Sequence, residues 1–122
     1  MSREINGRDA GMVTAEIAVA MPVLMVLLAA ALTAVSVLAG QMRCVDAARE
    51  AARALARGES VSAARSLAIA AGPHGAVLNT GVGVDRVHAT VRAQVSPIGG
   101  LFPALTVHAD AVALREPDGG PP

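Results

Sequence analysis

The sequence predicts an α+β fold: one long amino-terminal helix, able to cross a membrane and continue outward as a stalk, followed by a short second helix and a small antiparallel sheet of about three strands. Three observations lead there. Residues 17–40 hold no charge over 24 positions; as a helix they span roughly 36 Å, more than the roughly 30 Å of bilayer hydrocarbon. Residues 41–57 contain neither Gly nor Pro and place their charges three and four residues apart. Beyond residue 77 the apolar period shortens to two, as in half-buried strands.

Composition sets the limits on function. A chain of 122 residues has room for one small domain, and the apolar run takes a large share of it. With one Phe and no Trp or Tyr, the core must be packed from Ala, Val and Leu. Such a core is thin and implies partners. Ten basic residues balance ten acidic ones, so no basic field exists to hold a nucleic-acid backbone. All ten are Arg, which excludes P-loop and Schiff-base chemistry that needs a lysine amine. Cys44 is the single cysteine and can form neither an internal disulfide nor a zinc site of paired thiolates. No metal or other cofactor is expected.

Taken in order, the apolar run contains Pro22, which removes one backbone hydrogen bond and predicts a kink near residues 18–22. The stalk then presents Arg43, Asp46, Glu50, Arg53 and Arg57 on one stripe. Its other stripe, Cys44, Ala48, Ala52 and Leu55, is small and apolar, suited to close approach of a neighbouring subunit or of the strand layer. Gly58 reads as the helix stop, and Ser60 or Ser62 as the cap of a second helix reaching about Ala71, ended by Gly72 and Pro73. Residues 77–84 read as a first strand and Asp85 with Arg86 as a turn. The alternation of Val87, Ala89, Val91, Ala93 and Val95 marks a second strand, residues 96–104 a loop, and residues 105–114 a third strand. Residues 116–122, EPDGGPP, read as a disordered tail.

Glu16 stands at the entrance of the apolar run. In the first turn of a membrane helix a carboxylate is favoured by the helix dipole and can stay at headgroup level. Its neighbours suggest more. Gly11 is followed by Met12, and a cut between them would make Glu16 the fifth residue of the product. The leader so released, MSREINGRDAG, is polar and charged, unlike the apolar centre of a secretory signal.

A short leader ending in Gly, Glu at the fifth position and a long apolar helix resemble the processing site of type IV prepilins. The stretch CVDAAREAARALARG at residues 44–58 and the strand ending VHADAVALREP at residues 107–117 are similar to TadE-like minor pilins, or pseudopilins, of Tad (Flp) pilus systems. The likeness covers nearly the whole chain. It implies a pilin-like organisation: a leader at 1–11, a transmembrane helix and stalk at 12–58, an α+β head at 59–115 and the tail beyond. It also implies cleavage by a membrane-embedded prepilin peptidase at Gly11, a new amino terminus at Met12, and a Glu16 carboxylate that meets the amino terminus of a neighbouring pilin or pseudopilin. The resemblance places the chain as a single-pass protein of the cell membrane with its head outside, or within an extracellular pilus. Counting arginines alone favours the opposite orientation, because Arg43, Arg49, Arg53 and Arg57 follow the run and only Arg3 and Arg8 precede it.

Two other readings compete. A signal peptidase cut after residue 39 would release a small binding domain, although the apolar run is longer than the 7 to 15 residues usual in such signals. An uncleaved single-pass anchor could scaffold other membrane proteins. Enzymatic function is not expected: His88 and His108 read as solvent-facing strand residues, His74 sits in a turn, and no nucleophile, base and orienting group can be assembled.

Overall fold

The computed structural model describes residues 7–117. Helix α1, Gly7–Ala56, is a single element of 50 residues that includes Pro22, about 75 Å long at the usual rise. The hydroxyls within its apolar part turn inward on the helix itself. Thr33 Oγ1 donates to the Ala29 carbonyl at 2.8 Å and Ser36 Oγ to the Leu32 carbonyl at 2.9 Å, so neither presents an unpaired donor to lipid.

Gly58 ends α1 with a left-handed φ of 82°, a conformation glycine adopts without a Cβ penalty, and its N–H donates to the Leu55 carbonyl. Helix α2, Val61–Ala71, starts at Ser60, whose hydroxyl accepts the Ala63 N–H at 3.1 Å; Ser62 lies inside the helix. Gly72 closes it, donating to the Ala68 carbonyl at 2.8 Å.

Three strands follow as an antiparallel meander in the order β1-β2-β3: β1 Val77–Val82, β2 Arg86–Val95 and β3 Leu105–Leu114. The first strand is shorter than its apolar pattern suggested, because the Gly83 N–H bonds the Arg86 carbonyl at 2.8 Å and starts the turn early. Arg86 belongs to β2 and pairs with Leu114, so only Asp85 of the expected turn pair remains in the turn. Within the loop after β2, Pro97–Gly100 forms a tight turn with Ile98, Gly99 and Gly100 at positive φ.

The head closes around the outer part of α1. The inner face of the sheet supplies Leu78, Val87, Ala89, Val91, Ala93, Val107 and Ala109, and α2 supplies Ala64 and Ala68. Between them lie Cys44, Ala47, Ala48, Ala51, Ala52, Ala54 and Leu55 of α1. The small-residue stripe is therefore covered by the chain's own strand layer and by α2. Alanine on both sides brings backbones close, and dispersion at short range substitutes for the missing large side chains. At the far end, Arg115 N–H donates to the Asp85 carbonyl and Glu116 N–H to the Ala56 carbonyl, which ties the end of β3 to the tip of the first hairpin and to the end of α1. Glu116 and Pro117 of the expected tail are thus at the rim of the head. Residues 118–122, like residues 1–6 of the expected leader, lie outside the described residues.

Candidate assembly site on the long helix

The amino-terminal part of α1 consists of exposed apolar side chains from Met12 to Leu38, facing nothing in the chain except near its outer end. This is the one helix among the described residues long and apolar enough to cross a membrane, and it fits a single-pass membrane protein. Glu16 is the only charge between Asp9 and Arg43. Its side chain is exposed and takes part in no hydrogen bond or ion pair within the described residues. Helix geometry puts it one turn beyond Met12, on the same face.

Gly11 and Met12 lie inside the helix, in its second turn. A Cβ built at Gly11 would meet nothing within 4 Å, and the residue has no left-handed φ. Neither packing nor backbone conformation calls for glycine there, and in a helix interior it costs about 1 kcal/mol relative to alanine.

Gly40 is the opposite case. A Cβ there would sit 2.5 Å from Cγ2 of Val95 and 3.7 Å from Cγ2 of Val107. At Gly40 the sheet lies directly against α1, and one residue on, Gln41 Nε2 donates to the His108 carbonyl at 2.7 Å. In the sequence Gly40 reads as the end of the apolar run and as the residue after the alternative cut at 39, not as a packing contact. Its signal was present as a glycine at a boundary where the helix does not stop.

The charged stripe of the stalk is solvated and only sparsely paired. Arg53 lies 3.9 Å from Glu50, both largely exposed, an arrangement worth little. Arg57 bonds Glu59 through Nε and Nη2 at 3.0 and 2.7 Å. On the outer face of the sheet Thr90 donates to Asp110 at 2.6 Å, while His88 and His108 are exposed there, beside Val112 and Arg92 respectively in the strand register. No three His, Cys, Asp or Glu side chains among the described residues are grouped to hold a metal.

Cys44 is fully buried between helix and sheet, and burial pushes its thiol above the ordinary value of 9.0 by desolvating the thiolate. Since the raised value belongs to the folded state, the thiol's contribution to stability is complete below pH 9 and declines as pH rises past it. Iodoacetamide at pH 8 is expected to label Cys44 only after denaturation; labelling of the folded chain at the rate of a free thiol would mean the head opens there.

A family model described as TadE-like protein matches residues 11–53, from the glycine of the expected processing site through the span and most of the stalk. Apoptosis inhibitor Rv3655c of Mycobacterium tuberculosis (strain ATCC 25618 / H37Rv) is 37% identical over 102 residues, which cover 84% of this chain and 78% of that protein. No solved structure gives a significant match.

Proposed function

The chain belongs to the TadE-like family, and from that premise we propose that it is a minor pilin or pseudopilin of a Tad-type pilus, matured by prepilin peptidase and assembled through α1. The coarse part follows from membership: a structural protein associated with a Tad pilus and with the membrane. The finer part is supported above all by Glu16, a carboxylate without a hydrogen-bond or ion-pair partner among the described residues, on a helix whose apolar side chains are exposed.

Cleavage between Gly11 and Met12 creates an α-ammonium one helical turn from that carboxylate. In an array of packed helices the ammonium of one subunit reaches the Glu16 of its neighbour, and the pair offsets the cost of placing either charge in an apolar medium. Pro22, six residues on, softens the helix where it must adapt to that packing. The protein works by geometry and packing, with no catalytic step. Its head stands outside the cytoplasm, held at the end of the stalk.

Glycine at position 11 has a reason under this reading that the fold does not supply. The peptidase must draw the scissile bond out of the helix into its own site, and glycine makes that local unwinding easier. Recovered from its native membrane, the protein is expected to begin at Met12, and Gly11→Ala is expected to accumulate uncut with its head intact. Mass spectrometry and amino-terminal sequencing read this directly. A start at Gly40 would instead mean a secreted domain, and a start at Met1 an uncleaved anchor.

A further inference from the structure

Gly40 abuts Val95 and Val107, so the bases of β2 and β3 stand level with the outer end of the apolar run. The connection between them, residues 96–104, continues past that end and lies alongside the run itself. Pro97, Leu101, Phe102, Pro103 and Leu105 face α1 between residues 25 and 38 across an apolar groove of about 1020 Å³. The loop's apolar side chains are not hidden by the chain: Leu101 is 76% exposed, Leu105 44%, Phe102 41% and Ile98 38%. Phe102 is the sole aromatic residue of the protein.

Polarity changes along one level on all three elements. On α1 the first charge outward from Glu16 is Arg43; on β2 and β3 the lowest charged or titratable residues are Arg92 and His108, which pair with each other one step above Ala93 and Val107. Below that level, residues 93–107 contain no charge. A shared boundary of this kind is what a planar apolar phase imposes, whereas a groove shaped for one protein partner has no need of it.

The backbone adds a separate observation. Ile98 has φ 50° and ψ 56°, in the left-handed region where a β-branched residue is strained and where glycine would not be. The chain keeps an apolar side chain there nonetheless. Within the loop Pro97 and Pro103 carry no N–H and the Leu101 N–H bonds the Ile98 carbonyl at 3.1 Å. The other loop residues keep their N–H groups, which sets the loop at interfacial depth, where headgroups and water can satisfy them, rather than in the hydrocarbon centre.

We propose that the β2–β3 loop is a second membrane contact, in which residues 98–105 enter the lipid leaflet on the head's side of the membrane and acyl chains fill the groove against α1. The contact fixes how far the head stands above the bilayer and which way it faces. It rests on α1 being the membrane span.

The natural absence of Trp makes the test direct. The full chain is reconstituted in phosphatidylcholine vesicles as three single variants: Phe102→Trp in the loop, Val84→Trp at the far hairpin tip and Leu28→Trp in the span. Phe102→Trp is expected to emit to the blue of Val84→Trp and to lose most of its emission in acyl-brominated phosphatidylcholine, while Val84→Trp loses none. Leu101→Trp, one residue away, is expected to behave as Phe102→Trp does. If Leu28→Trp is quenched and both loop variants are not, the loop proposal is overturned and the span stands. Blue-shifted loop emission that bromolipid does not quench would assign the groove to a second copy and also overturn it. Absence of quenching at Leu28→Trp would overturn the span and the loop contact together.

Discussion

Glu16→Ala is expected to reduce incorporation of the processed protein into pili, or into its complex with other pilins, by more than a hundredfold, because removing one member of a buried ion pair strands the other at a cost of about 3–5 kcal/mol. The stranded group is the amino terminus of the neighbouring subunit. The fold itself should not notice, since Glu16 is exposed and makes no hydrogen bond or ion pair among the described residues. Glu16→Gln retains a hydrogen-bond acceptor but not the charge, and should fall between the two. Immunoblots of sheared pili and of detergent-solubilised membranes measure incorporation, and circular dichroism of the same variants checks the head. Equal incorporation of Glu16→Ala and the parent would remove the assembly role from this carboxylate.

Gly40→Val is expected to destabilise the head by about 1–3 kcal/mol, the usual cost of forcing extra volume into a packed contact. Already the first added carbon would meet Val95 Cγ2 at 2.5 Å. Val95 is β-branched and stiff at χ1, so it cannot swing aside, and the helix must move away from the sheet. The core on either side is mostly alanine, which leaves little stability in reserve. Gly11→Ala is the matched control: it adds a methyl where nothing lies within 4 Å and should leave the head unchanged. Urea unfolding of the detergent-solubilised chains, followed by release of the Cys44 thiol, compares the two. A Gly40→Val chain as stable as the parent would show that the helix and sheet are not in contact at this level.

Much of the molecule could be read locally, and the reason is visible in particular residues. Charge-free length marks the span between Glu16 and Arg43. Alternation marks β2 from Val87 to Val95, and Ser60 with Gly72 brackets α2. Each of these signals is complete within a few residues of chain. The misjudged end of β1 was decided by a single hydrogen bond from Gly83 to Arg86 rather than by the apolar pattern, which ran on to Val84. The spacing of Gly11 and Glu16 is likewise a linear pattern, and the proposed processing at Gly11 rests on that pattern rather than on any contact in the fold.

The sequence by itself determined a membrane-length helix with one charge at its entrance, a capped second helix and strands of known facing, because propensity, capping and period are properties of neighbours in the chain. Only the tertiary structure decided that the alanine stripe of α1 is covered by its own head, that Gly40 is a contact of helix with sheet, and that the loop carrying Phe102 lies beside the membrane span. Those contacts join residues tens of positions apart, and no local pattern records which distant surface will close over a helix once the register of the strands has been set.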